Sequence, residues 1–337
     1  MGQISVIIPS YNRAGLIRQT IENLLNQTQP PLEIIVVDDG STDDSVRVIR
    51  SFGSAVRLFE QKNQGPGAAR NEGLRMAAGE FIQFQDSDDL YSLNKLESQS
   101  KLLEQTGADI AFGPWAHVFI QEQKLKFQTC VLQQSLPPTK INLACWQLRG
   151  WSTVFQSLMF RRSFLINIGG YKTDMRYGED MEFFFRILLQ SPRVAFAPDT
   201  LTLYRVNSSN NLSEDGASQY NRIVDWSRCL QRISENLKKM CPDADDLSRA
   251  IFFSGIRKHL RYFRAVPAAP PDLLRELTGL VAQWPAWYLQ AVEVWLRMAE
   301  RMRLLRTGWR WMPGYQAGSL TQGQRELIAG LGFGITQ

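Results

Sequence analysis

Three carboxylates, Asp86, Asp88 and Asp89, fall within four positions of the stretch FQDSDDLY, directly behind an apolar run. Like charges this close repel one another, and the cluster costs free energy unless a cation or a shared proton relieves it. Oxygen ligands without histidine or thiolate suit a hard divalent ion, Mg2+ or Mn2+. Such ions are usually held by one or two carboxylates, with substrate phosphates completing the shell, so an Asp-x-Asp at a strand end suggests a metal-bridged diphosphate. Asp38 and Asp39 open a second acidic stretch, DDGSTDDS, and Glu179 and Asp180 form a third in GEDMEFFF. Each has a structural alternative: a turn or helix N-cap for the first two, the acidic first turn of an amphipathic helix for the third.

The elements around these residues decide whether they can meet. ISVIIPS (4–10), LEIIVVDD (32–39), VRLFEQ (56–61) and GEFIQFQD (79–86) are short runs rich in Val, Ile and Phe that read as strands. Between them Ile17, Ile21, Leu24 and Leu25 fall on one helical face, as do Val46, Ile49 and Phe52, and then Ala68, Ala69, Leu74 and Ala77. Alternating strands and helices at this spacing imply βαβ units and a parallel sheet, and the nearly continuous apolar runs of the first two strands imply cover on both faces. In an open doubly wound sheet, ligands bind beyond the carboxyl ends of the strands. There the sequence places Pro9-Ser10-Tyr11-Asn12, Asp38-Asp39-Gly40-Ser41 and Asp86-Ser87-Asp88-Asp89, three polar clusters converging on one edge. NQGPGAARNEGL (63–74) opens a helix after glycines, with Arg70 and Asn71 inside it; the guanidinium there can meet a nucleotide or brace the aspartates. No Walker A sequence and no G-x-G-x-x-G occurs.

A helical pattern, LNKLESQSKLLEQTG, follows residue 90, then an irregular stretch to about 150. From 161 the signals resume: a Gly169-Gly170 turn, Gly178 before a helix that buries Phe184, Phe185 and Leu188, and VAFAPDTLTLYRVN as one or two strands. From about 216 the pattern is helical to near the end.

The segments SVIIPSYNR, EIIVVDDGSTDDS, NQGPGAARNEGL, GEFIQFQDSDDLY and GGYKTDMRYGEDMEFFFRI together resemble the family 2 glycosyltransferases, in that family's order and over about residues 4–190. The resemblance implies an α/β fold of GT-A (Rossmann-like) type: a mostly parallel sheet flanked by helices over residues 1–215, followed by a helical C-terminal region, 216–337. It implies a sugar moved with inversion from a nucleotide-diphosphate donor, a UDP-sugar, to a hydroxyl of a saccharide or lipid-linked saccharide. Pro9, Tyr11 and Asn12 would flank the base, Asp39 would accept its N3–H, Arg70 would lie near the base and the acidic cluster, and Asp86 would face the ribose. Asp88 would hold the metal, while Asp89 caps the next helix. Asp180 would be the general base, with Glu179 beside it. A helix N-terminus lowers the pKa of a carboxylate there, whereas desolvation by Phe183–Phe185 raises it. Arg205 and Asn207 are candidate diphosphate contacts; Asn207 stands where the family often has histidine, so reliance on metal can differ.

The remaining composition restricts partners. The 337 residues are 44% hydrophobic and 21% charged, as in an ordinary globular protein. Four cysteines without C-x-x-C spacing and two distant histidines, His117 and His259, read as free thiols without a zinc site. No apolar run reaches the 18 or so residues of a membrane span, and MGQISV enters a strand without a leader pattern. The expected location is cytoplasmic, or peripheral at the inner face of the cell membrane. Of the net charge of +5, residues 1–215 carry −2 and residues 216–337 carry +7. Trp284, Tyr288, Ala291, Trp295, Met298, Met302, Leu305 and Trp309 form one heptad-like seam behind Pro285, among five arginines. That stretch, 284–310, reads as a helix on its own domain, a basic amphipathic helix on an anionic bilayer, or a contact between subunits of a homo-oligomer. No nucleic-acid module accompanies it. Trp115, Trp146 and Trp151 are either acceptor-stacking surfaces or core. A non-catalytic nucleotide-sugar-binding scaffold on the same fold is the alternative function, and intact Asp88 and Asp180 weigh against it. A nucleotidyltransferase would need a Gly-rich phosphate loop, where PSYNRAGL offers only Arg13 and Gly15.

Overall fold

A computed structural model describes residues 2–121, 124–128, 143–144, 154–206, 219–240, 253–257, 260–261, 264, 271–282, 285–291, 294, 322–331 and 334–336. All seven residues of β1 (Ile4–Ser10) are buried, because the strand lies centrally, parallel to β2 (Glu33–Asp38) on one side and to β4 (Phe81–Phe84) on the other. β3 (Arg57–Glu60) runs parallel outside β2. Beyond β4 come β9 (Leu158–Arg161), antiparallel to both its neighbours, then β6 (Ile110–Phe112) and β10 (Val194–Phe196). The sheet is mostly parallel, as the alternating pattern predicts.

Alternate side chains of β1 and β2 enter two cores. Ile7, Ile35 and Val37 pack with Phe84 and Phe160 on one face, while Ile4, Val6, Ile8, Ile34 and Val36 meet Ile17, Ile21 and Leu24 on the other. The latter three come from α1 (Ile17–Leu25), whose expected fourth member, Leu25, is instead exposed. α2 (Ser45–Arg50) lies beside α1, and α3 (Pro66–Met76) covers the opposite face. A Cβ on Gly73 would sit 2.3 Å from Ile7 Cγ2, so only glycine lets α3 approach the strand this closely. Pairing of β1 with β4 ends at Ile7 and Phe84. Pro9, which has no N–H to donate to a ladder, follows two residues later.

The region past residue 90 contains α4 (Lys95–Thr106), closed by Gly107 in the left-handed conformation, and a second sheet. Its strands are β5 (Leu90–Tyr91), β11 (Thr202–Arg205), β7 (Trp115–Gln121), β8 (Lys124–Phe127) and β12 (Gly334–Thr336). The stretch read as irregular thus includes an antiparallel pair, β7 with β8. Trp115 is buried against His117 and Tyr204, which settles it as core and not an exposed stacking surface. After α5 (Arg162–Ile166), α6 (Glu179–Leu189) buries Phe183, Phe184 and Phe185. α7 (Gln219–Met240) packs on α6 through Cys229, Leu230 and Ile233. α8 (Pro271–Ala282) adds Leu277 to that core, and α9 (Gln322–Ala329) sets Ile328 against the second sheet.

Cys229 is a buried free thiol, and the other three cysteines lie outside the described residues, with His259, Trp146 and Trp151. Of the 284–310 seam only Tyr288 and Ala291 are described; Tyr288 packs against the core, in a turn that Pro285 opens. No helix among the described residues is long and apolar enough to cross a membrane.

Candidate active site

The loops after β1 and β2 are fastened to each other. Asn12, at a positive φ of 52°, donates its N–H to Ser41 Oγ at 2.9 Å, and its Oδ1 accepts Thr42 N–H at 2.8 Å. Arg13 N–H donates to Ser45 Oγ at 2.7 Å, and Ala14 N–H to Asp43 Oδ2 at 3.1 Å. Asp38 accepts from the backbone and hydroxyl of Ser41 and Asp43 from the backbone of Ser45, so the turn reading of DDGSTDDS holds, while the N-cap position of α2 is Asp44, without a side-chain cap bond.

Asp39 differs. It is 3% exposed, and its carboxylate accepts Gln61 Nε2 at 2.7 Å, Gln64 N–H at 2.8 Å and Gly65 N–H at 2.8 Å. Three of its roughly four acceptor sites thus fix the loop before α3. Pro9 is buried within β1, and Asn12 is engaged between loops; of the three residues expected around a base, Tyr11 presents the open ring, 42% exposed.

The aspartates after β4 are met by arginines. Arg70, buried in α3, holds Asp86 Oδ1 at 2.8 Å with one nitrogen and Glu179 Oε1 at 3.0 Å with another. Its guanidinium lies 5.4 Å from the Tyr171 ring centre, and Asn71 bonds the backbone of Tyr171 in both directions. Burial alone would lower the Arg70 pKa, but Asp86, Tyr171, Glu179 and Asp180 outweigh it and hold it above its ordinary value. Arg13 Nε lies 3.4 Å from Asp88 Oδ2.

Asp89 does not cap α4, whose N-cap position is Asn94. Its buried carboxylate instead accepts Arg205 N–H at 2.7 Å and the side-chain amide of Gln156, tying β11 and the turn before β9 to the acidic loop. Burial, with Asp88 and Asp86 beside it, pushes the Asp89 pKa well up. The Arg205 side chain is buried rather than exposed and donates to Gln19 Oε1 at 2.8 Å. Asn207 lies outside the described residues.

Among the described residues no group of three His, Cys, Asp or Glu side chains converges as a metal cage. Asp88 and Asp86 are oxygen donors at a strand end, which fits an ion that arrives with phosphate oxygens of its own, not one caged by the protein alone.

Glu179 and Asp180 form the first turn of α6 behind Gly178, whose φ is +75° and whose Cβ would lie 2.7 Å from the Trp226 ring. Only glycine fits there. Asp180 Oδ1 accepts Met181 N–H at 2.7 Å. Burial, assisted by the charge of Asp180, raises Glu179 to about 7 although Arg70 opposes it. Burial likewise lifts Asp180 above its ordinary value, against Arg70 and the Met181 N–H. Desolvation therefore outweighs the helix terminus.

Residues 5–169 match the family described as glycosyl transferase family 2. Over those residues, just under half of its length, the chain is similar to that family. An uncharacterized glycosyltransferase of Rickettsia bellii is 46% identical over 105 residues, 31% of this chain but only 15% of the relative. Glycosyltransferase GlyG of Streptococcus pneumoniae is 29% identical over 217 residues, covering 61% of this chain and 72% of the relative. Among solved structures, S. aureus TarS 1–349 superimposes with a TM-score of 0.59 at 19% identity, covering 88% of this chain and 92% of that one. The same TarS fragment in complex with UDP-GlcNAc gives 0.55 at 17% identity, with the same coverage. The fold of this chain is thus GT-A, while Glu179 and Asp180 lie past the matched segment.

Sequence reasoning did not find Arg13 as the partner of Asp88, although SYNR put it beside the expected site. Gln156 carries no motif and is brought in by packing alone; Tyr171 lies within GGYKTDMRYGED, but nothing in that spacing marks its ring as a neighbour of Arg70.

Proposed function

We propose that this chain transfers a sugar, with inversion, from a UDP-sugar to a hydroxyl of a saccharide or lipid-linked saccharide. The observation that carries this is the Arg70 bridge, 2.8 Å to Asp86 and 3.0 Å to Glu179, which couples the acidic end of β4 to the carboxylate beside Asp180. Tyr11 stacks on the base, the remaining acceptor site of Asp39 takes its N3–H, and Asp86 meets the ribose. Asp180 removes the proton from the acceptor hydroxyl as that oxygen bonds to the anomeric carbon; the bond from that carbon to the diphosphate breaks and UDP leaves. A raised pKa makes Asp180 a better base than an ordinary surface carboxylate. A divalent cation, Mn2+ or Mg2+, held by Asp88 with the diphosphate, supplies neutralisation of the leaving group's charge when bound. The Nε of Arg205 is buried without a hydrogen-bond partner among the described residues, which supports a diphosphate contact there, with Asn207 nearby in sequence. TarS, a solved relative of the fold, binds UDP-GlcNAc, which supports a UDP-linked donor here.

The test is a panel of UDP-, GDP- and dTDP-sugars offered with saccharide acceptors, following nucleotide release and the anomeric configuration of the product by NMR. UDP release that depends on acceptor and gives a β-linkage from an α-donor is expected. Turnover with retention would contradict the mechanism, and no turnover of any donor would contradict the function.

A further inference from the structure

The backbone of Arg13 is fixed, and its side chain reaches Asp88 and, at 3.4 Å, the Asn12 carbonyl. Its N–H is held by Ser45 Oγ at 2.7 Å, and its carbonyl accepts the N–H groups of Leu16 and Ile17, both at 2.9 Å, where α1 begins. The positive φ of Asn12, locked by Ser41 and Thr42, turns the chain immediately before it. The Arg13 and Asp88 side chains are 11% and 13% exposed, so their contact is shielded from solvent.

The contacts to the three aspartates differ in tightness. Arg70 to Asp86 at 2.8 Å is a strong charge-assisted pair, and Arg205 N–H donates to Asp89 at 2.7 Å. Arg13 Nε reaches Asp88 Oδ2 at 3.4 Å, the longest of these three distances. A cation arriving at Asp88 competes with this contact. A divalent ion in the same place carries twice the charge of a guanidinium, and the attraction scales with charge. A diphosphate arriving with it offers Arg13 a new anionic partner that guanidinium binds well.

We propose that Arg13 is a tethered counter-ion of Asp88, released when a divalent cation arrives with a nucleoside diphosphate. Arg13 thereby weakens metal binding to the empty site and makes it depend on nucleotide. This rests on the reading of Asp88 as a residue of the donor site.

The experiment follows free Mn2+ by electron paramagnetic resonance in the full chain, with and without UDP, and measures UDP binding alongside. In the wild-type protein UDP raises Mn2+ affinity at least tenfold; affinity independent of nucleotide overturns the inference without any variant. Arg13→Gln, checked for fold by circular dichroism, binds Mn2+ about tenfold more tightly than wild type in the absence of UDP, and the gap closes when UDP is present. Arg13→Lys keeps the weak wild-type affinity, and Asp88→Asn abolishes the difference. Unchanged or weaker Mn2+ affinity in Arg13→Gln, or an equal gain in Arg13→Lys, overturns the proposal. A chain that binds UDP with Mn2+ but shows no Arg13 effect rejects the counter-ion alone, whereas a chain that binds neither rejects the donor-site reading beneath it.

Discussion

Asp180→Asn is expected to lower the rate of transfer about 10²–10⁴-fold, the range over which a positioned general base contributes, while the dissociation constant for UDP-sugar stays nearly unchanged. The substitution preserves size and keeps an oxygen able to accept the Met181 N–H that Asp180 now accepts at 2.7 Å. What it removes is the capacity to take a proton. Steady-state rates and calorimetric donor binding on the same preparation separate the two effects; loss of donor binding would make Asp180 structural.

The pH dependence carries further information about this carboxylate. Glu179 sits at about 7 and Asp180 above its ordinary value, so both titrate above an ordinary carboxylate. Activity is expected to fall as the pH drops through that raised range, because the base must be ionised. Glu179→Gln removes a neighbouring negative charge and should move this acid limb to lower pH. A limb that stays in place would separate Glu179 from the base.

Arg70→Met has the second large effect, on stability. Its guanidinium is the shared counter-charge of Asp86 and Glu179, and it is buried with Glu179. Breaking a buried pair by removing one partner costs about 3–5 kcal/mol, since a charge is left uncompensated. Here the cost depends on pH. Arg70 lowers the Glu179 pKa, so its removal raises that pKa further above the unfolded value of 4.5. A carboxyl with a raised folded pKa stabilises fully below its unfolded pKa and loses that contribution as pH rises through the folded one. Urea denaturation of Arg70→Met should therefore show a large deficit at pH 8 that shrinks toward pH 5, and the double variant with Glu179→Gln should recover part of it at pH 8. A deficit independent of pH would assign the loss to packing against Tyr171 instead.

The parts of this molecule legible in its sequence are those set by short-range pattern. Apolar continuity in ISVIIPS and LEIIVVDD follows from strands covered on both faces, and parallel βαβ order then brings their polar ends together. The Gly178 break and the helix of GEDMEFFF follow equally from local chemistry. What escaped depends on contacts distant in the chain. Asp89 looks like a helix cap by spacing, but a bond to Arg205, 116 positions away, buries it. Lys95 opens a helix rich in polar residues. It is fully buried, donating to Gln83 Oε1 at 2.6 Å and Gln99 Oε1 at 3.0 Å, with Tyr91 beneath it. No periodicity distinguishes such a lysine from an exposed one. β12 is three residues long, and its pairing with β8 joins Gly334 to Lys124, across well over half of the chain.

The most direct measurement of the central claim is a calorimetric titration of UDP, and in parallel GDP and dTDP, into the full chain with Mn2+ and again with EDTA. One-site UDP binding that weakens on chelation and in Asp88→Asn is the expected result. It would place a nucleoside diphosphate where the ends of β1, β2 and β4 meet. Failure of all three nucleotides to bind, with metal and without, would contradict the account.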